Sequence, residues 1–231
     1  MEDPYCYPGT RVLRNKLNIT GPDELYNAER DLATLRNLEL MHKLIEGTFD
    51  FSYLCKIQKY LFQDIYEWAG EVLTVDIAKN NLFCRYFFIQ NEADRIFAEL
   101  SSERYLSRLP IDVFPSRLAY YFAEINALHP FREGNGRTQR EFIRQLAYHA
   151  RYFLGYDGIT QDEMISASIE SFSRNYAPLT HLLASHLYPL RWSLSTMSYP
   201  LLMVIRPAHR YLRCSVYLFC HHESRYHVWE Y

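Results

Sequence analysis

Residues His129 to Arg140, HPFREGNGRTQR, put an imidazole, a carboxylate, two glycines, an amide and a set of arginines into one short segment. Gly134 and Gly136 flank Asn135 in a turn that lets the backbone lie close to a ligand. Beyond it, Phe142, Ile143, Leu146, Ala147 and Ala150 recur at helical spacing. A glycine turn that opens a helix is an anion site, because the first N–H groups lack intrahelical acceptors and the dipole is positive there. Arg137, Arg140 and Arg144, spaced by three and four, are expected to share another face and to add their charge in the same direction. Glu133, the one carboxylate of the turn, is a candidate ligand for Mg²⁺, which binds one or two carboxylates together with substrate phosphates. His129 closes the apolar run Tyr120 to Leu128 and is the candidate proton acceptor. The set fits a nucleoside triphosphate complexed to Mg²⁺, with a histidine placed to deprotonate an attacking hydroxyl. It is neither a Walker sequence nor a dinucleotide-binding GxGxxG.

The segment resembles the signature of Fic-domain proteins, HxFx(D/E)GNGRxxR, at every specified position. Upstream, Asp3-Pro4-Tyr5, Tyr7-Pro8-Gly9 and Arg14 to Ile19 resemble the N-terminus of toxin-type members. Leu61 to Gly70 and Thr74 to Ile77 resemble the helix and flap ahead of the motif, so the likeness runs from residue 3 to residue 188. It implies a mainly α fold: a Fic-type helical bundle with a β-hairpin flap before the catalytic helix-loop-helix. It also implies a protein adenylyltransferase, which moves AMP from ATP to a Tyr, Thr or Ser hydroxyl of a target protein.

By the same likeness His129 is the general base, Glu133 the Mg²⁺ ligand and Phe131 a structural anchor. Gly134, Asn135 and Gly136 would hold the α- and β-phosphates and Arg137 the outer ones, while Arg140 would contact the γ-phosphate or pair with an inhibitory glutamate. The flap residues Asp76, Ile77, Ala78, Lys79, Asn80, Asn81, Leu82 and Phe83 would dock an extended segment of the target. Fic proteins often carry an inhibitory helix, [S/T]xxxE[G/N]. Here only Glu46 and Glu133 precede Gly or Asn, with His42 and His129 four residues earlier, and Thr20 to Glu24 is followed by Leu25. A separate small antitoxin is therefore expected to supply a Glu opposite Arg140. Toxin-type relatives suggest an intracellular bacterial target such as a type II topoisomerase, and effector-type relatives suggest host GTPases.

Taken singly, a histidine ending an apolar helix is ordinarily a satisfied, partly buried side chain, and spaced arginines are ordinarily a solvated face. The full motif argues for chemistry instead. Two other activities share these residues: transfer of UMP, a phosphoryl group or phosphocholine, and a non-catalytic nucleotide- or peptide-binding module. The Gly-Asn-Gly run favours AMP over the kinase-like variant with Ala-Asn-Lys.

Periodicity predicts helices over Asp23–Leu44, Phe51–Tyr66, Glu92–Ser107, Asp112–Leu128, Arg137–Phe153, Gln161–Phe172 and Tyr176–Leu187. Leu25, Ala28, Leu32, Leu35, Leu38 and Met41 form the expected apolar face of the first. Alternation through Val72 to Ile77 and the turn Lys79-Asn80-Asn81 predict a β-hairpin over Glu71–Phe88. Helical period ends after Tyr188, which predicts a domain over 1–188 and a tail over 189–231, either a docking segment or poorly ordered. In that tail His209, Cys214, Cys220, His221, His222 and His227 match no usual zinc spacing. With Cys6, Cys55 and Cys84 they bring the cysteines to an odd five, best read as reduced thiols, and Cys84 alone falls near the flap. At 231 residues, 48% hydrophobic and a formal charge of -2, the chain has material for a real core and no electrostatic case for nucleic acid or anionic membrane. Without a visible apolar span or cationic leader, the bacterial cytoplasm is the expected setting, with secretion into a host cell left open.

Overall fold

Apolar residues at helical spacing produce seven α-helices among the described residues of the computed structural model, 3–76 and 83–190. These are α1 (Pro22–His42), α2 (Phe51–Phe62), α3 (Ile89–Ser102), α4 (Phe114–Leu128), α5 (Asn135–His149), α6 (Gln161–Phe172) and α7 (Ala177–Ala184). Local chemistry sets several starts. The Asp50 carboxylate accepts the Tyr53 N–H at 2.8 Å to open α2, and Thr160 and Glu163 form a reciprocal capping box at α6. The mainly helical expectation holds. α4 and α5 make the centre, burying Leu118, Phe122 and Ile125 from one and Phe142, Ile143 and Leu146 from the other. α7 packs on α4, and α2 lies between α1 and α5.

The first helix turns inward a face that overlaps the expected one only in part, through Leu25 and the half-buried Leu32. Its buried stripe is Leu25, Glu29, Ala33 and Leu40, while Leu35 and Met41 are exposed. A carboxylate thus stands on the apolar side, a placement that needs charged or hydrogen-bonding compensation. Arg36 ties the outer side of α1 to the turn after α2, its Nε 2.6 Å from the Asp64 carboxylate.

Five helices end sooner than their apolar content suggests: α1 at His42, α2 at Phe62, α3 at Ser102, α5 at His149 and α7 at Ala184. The chain leaves α5 at His149, and Arg151 takes φ 72. Tyr152–Leu154 then forms β1, paired antiparallel with β2 (Leu187–Pro189), with Phe153 opposite Tyr188. A left-handed residue cannot propagate an α-helix, so Phe153 is strand, not helix. The Leu190 N–H bonds to the Arg151 carbonyl at 2.9 Å, so pairing continues just past the expected boundary at 188. The proposed tail beyond Leu190, with its cysteines and histidines, lies outside the described residues.

Candidate active site

Two helices meet head to tail at the motif. His129 caps α4 in the left-handed region, φ 45 and ψ 56, and its N–H bonds to the Ile125 carbonyl at 3.2 Å. A non-glycine residue held there marks a loop fixed by its surroundings. Five residues on, Gly134 opens α5 with φ 79, and among the described residues no side chain caps that helix. The N–H groups of Asn135, Gly136 and Arg137 therefore keep the unsatisfied donor character of a first helical turn and point to one anion site.

The loop between is held rigid from within. Phe131 is 1% exposed in the core. Its N–H bonds to Asn135 Oδ1 at 3.0 Å, and Asn135 Nδ2 donates to its carbonyl at 2.7 Å. Both ends of the Asn135 side chain are thus committed to the loop, and what it offers a phosphate is its backbone N–H. Gly134 presses on α2: a Cβ there would lie 2.2 Å from Phe62 Cε2. Gln58, fully buried, donates from Nε2 to the Glu133 carbonyl at 3.2 Å and accepts the Gly70 N–H. Arg132 reaches back to the N-terminus, with Nη2 2.8 Å and Nε 3.0 Å from Asp3 Oδ2. Of these two clamps, Gln58 was not singled out in the sequence, and Asp3 was named there only within the N-terminal likeness.

Charge is distributed around the anion turn. Glu133 accepts the Gly134 N–H on Oε1 at 2.8 Å, and that same oxygen is 3.8 Å from Arg137 Nη2. The Arg137 guanidinium donates to Glu29 and lies over the Phe62 ring, 4.7 Å from its centroid. Burial opposes its charge, but Glu29 and Glu133 outweigh this and raise its pKa, so it stays cationic. Tyr66 donates its hydroxyl to the other oxygen of Glu29, and burial followed by the carboxylate holds that phenol protonated. Arg140 folds toward the helix start: a Cβ on Gly136 would be 3.2 Å from its Nη1. Arg144, expected on the same face, is instead bound to Glu141 at 2.6 Å and to the Leu40 carbonyl at 3.3 Å. That ion pair lies at the α1 side of α5 and removes Arg144 from the anion site.

The expected hairpin meets the motif by another route. Ile77, Ala78, Lys79, Asn80, Asn81 and Leu82 lie outside the described residues. On either side the described legs, Glu71–Asp76 and Phe83–Arg85, carry no strand. The Leu73 N–H goes to the Pro130 carbonyl and the Cys84 N–H to the Ala127 carbonyl, each at 2.9 Å. The legs are drawn together where Asp76 Oδ1 accepts the Tyr86 N–H at 3.0 Å. Backbone donors that a ladder would use are spent on the loop around His129, which anchors the segment to the site. Phe83 then stacks on the His129 imidazole, ring centroids 3.8 Å apart, and meets Phe172 of α6 edge-on at 5.8 Å. Phe83→Ala is expected to cut turnover about three- to tenfold by loosening the imidazole, at unchanged nucleotide affinity, as an aromatic contact of about 0.5–1.5 kcal/mol implies. Steady-state kinetics beside a nucleotide titration would test this, and an unchanged rate would refute it.

Burial raises the Cys84 pKa, helped by Glu92 and Asp76, so it stays protonated. An open groove of about 910 Å³ between α2 and α3 is lined by Cys55, Lys56, Lys59 and Asp94 and includes no residue of the motif.

Comparison with known proteins identifies the family. A model of the Fic/DOC family matches residues 48–147. A probable protein adenylyltransferase of Sinorhizobium fredii, y4lH, is 41% identical over 181 residues, covering 78% of this chain and 93% of that protein. The chain belongs to the Fic/DOC family. The protein adenylyltransferase VbhT of Bartonella schoenbuchensis is 44% identical over 186 residues, 80% of this chain, which spans 39% of VbhT's length. Among solved structures, the BepC effector of Bartonella tribocorum with bound AMPPNP superposes with a TM-score of 0.76 at 27% identity, covering 81% of this chain and 97% of that one.

In this Fic domain the donors suit a Mg²⁺ ion shared with phosphates better than one held by protein alone. Among the described residues no three His, Cys, Asp or Glu side chains gather as a metal cage. Glu133, whose side chain is 39% exposed beside the anion turn, supplies the single carboxylate such a shared ion needs. No helix of the described residues is long and apolar enough to cross a membrane.

Proposed function

We propose that this Fic domain is a protein adenylyltransferase that moves AMP from ATP to a side-chain hydroxyl of a target protein. The observation that carries the reading is the pairing of a fixed imidazole with an uncapped helix start across one short loop: His129 ends α4 and Gly134 opens α5. The base and the anion site are then fixed relative to each other. His129 takes the proton of the target hydroxyl as its oxygen bonds to the α-phosphorus, and the α–β bridging bond breaks to release pyrophosphate. The N–H groups of Asn135, Gly136 and Arg137 stabilise the phosphates, and the Arg137 and Arg140 guanidiniums neutralise charge passing to the leaving group. Mg²⁺ would sit on Glu133 and supply further neutralisation when bound. Phe131 anchors the loop, and the segment from Asp76 to Phe83, whose flanks bond to the loop at Leu73 and Cys84, would present the target's extended chain to His129.

We place the reaction in the bacterial cytoplasm and assign its control to a separate antitoxin whose glutamate approaches Arg140. The carboxylate that α1 brings to the motif, Glu29, bonds to Arg137 instead. The catalytic unit would run through Leu190, since β2 completes its pairing there.

Purified protein incubated with bacterial lysate, Mg²⁺ and ATP labelled at either the α- or the γ-phosphate tests the reading. Label on protein from the α position alone is expected. Label from γ would mean a kinase, and label from neither a binding module or another donor. Glu133→Ala should weaken ATP binding about tenfold or more in Mg²⁺ and much less in EDTA, as loss of a charged ligand implies. Equal binding with and without Mg²⁺ in the wild type would refute the metal assignment.

A further inference from the structure

We infer that Glu29 is a positioning residue of this transferase, holding Arg137 from α1 in the orientation that meets the nucleotide's outer phosphates. The inference rests on the reading of Arg137 as a phosphate ligand. Glu29 is 7% exposed, on the stripe that packs α1 into the core, where an ionised carboxylate persists only with strong partners. Both its oxygens are engaged: Tyr66, itself 1% exposed, donates to one and Arg137 to the other.

Arg137 is consequently gripped in two directions. Its edge meets Glu29, and its face lies 4.7 Å from the Phe62 centroid. A guanidinium carries five donors in a fixed fork, and only Nη2 is engaged by Glu29, which leaves further N–H groups for an anion. Freezing a long side chain before the ligand arrives removes an ordering cost from binding. α1 itself is pinned to the α2 end by Arg36 and Asp64 at 2.6 Å, so the carboxylate has a rigid base.

A rival role would make Glu29 a competitor that occupies Arg137 until phosphate displaces it. Such a carboxylate needs somewhere to go on release. Glu29 is buried, and its second oxygen is fixed by the equally buried Tyr66, so the structure favours a support. The two roles predict opposite signs.

The test compares Kd for Mg²⁺-ATP and for adenosine, which lacks phosphates, in the full chain and in Glu29→Gln, Tyr66→Phe, Arg137→Ala and the Glu29→Gln/Arg137→Ala double variant. Glu29→Gln should weaken ATP binding about tenfold, the size of one charge-assisted hydrogen bond, and leave adenosine unchanged. Tyr66→Phe should shift ATP in the same direction by less, and it tests the idea even if Glu29→Gln folds poorly. The double variant should bind ATP no worse than Arg137→Ala alone. Tighter ATP binding by Glu29→Gln would overturn the inference in favour of competition. Unchanged ATP binding, or equal loss for adenosine, would reduce Glu29 to a fold anchor. If Arg137→Ala binds ATP like the wild type, the phosphate role of Arg137 fails first, a result separable from failure of Glu29 alone.

Discussion

Replacing His129 with alanine is expected to lower AMP transfer by about 10²–10⁴-fold, the usual contribution of a placed general base, while Kd for ATP changes by less than about twofold. The two functions separate because they sit on different helices. The imidazole belongs to the residue that caps α4 through its backbone N–H, whereas the phosphate donors belong to the first turn of α5. The loop between them is closed by Asn135 on the Phe131 backbone, bonds in which the histidine side chain takes no part. Alanine at φ 45 is somewhat strained, so His129→Asn, a residue that tolerates the left-handed region, serves as the matched control for backbone damage. Both variants should lose transfer of α-labelled AMP and keep nucleotide binding. A His129→Ala protein with normal turnover would remove the imidazole from the mechanism, and one that lost ATP binding with it would show that the loop depends on the ring.

The motif loop was legible in the sequence because its chemistry is local: glycine placement, helix start and charge all fall within a dozen residues. The same holds for α6, whose limits Gln161 and Phe172 agree with its periodicity because Thr160 and Glu163 write its start into the chain. Other features depend on partners distant in sequence. Glu29 stands four residues after Leu25 and four before Ala33, but its partner Arg137 lies 108 residues away. Without that partner, period alone favoured Ala28 and Leu32 for the interior and left Glu29 outside. Arg144 failed for the complementary reason: its spacing from Arg140 is right for a shared face, and its pairing with Glu141 and Leu40 decides otherwise. Short strands such as Tyr152–Leu154 are apolar at every residue, which no period distinguishes from a helix end. Alternation over Val72 to Ile77 is equally silent on whether backbone donors serve a ladder or the neighbouring loop.

Gly134→Ala is expected to lower Tm by roughly 5–15 °C and to abolish most ATP binding. Two costs add. A side chain at φ 79 loses about 1–2 kcal/mol to local sterics. The new methyl would also lie 2.2 Å from Phe62 Cε2, a contact that forces a shift costing about 1–3 kcal/mol. Phe62 cannot yield cheaply, since it is fully buried, and its ring is also the surface on which Arg137 rests. One added carbon thus displaces the anion turn and the phosphate arginine together, so affinity should fall by more than the stability loss alone explains. Phe62→Leu in the same chain should relieve the collision and recover part of the Tm, while ATP binding stays weak because the aromatic support of Arg137 is gone. Differential scanning calorimetry and nucleotide titration on the single and double variants would distinguish these terms. A Gly134→Ala protein with wild-type Tm and affinity would mean that the turn is not pressed on α2, and the coupling between the α2 core and the phosphate site would fall with it.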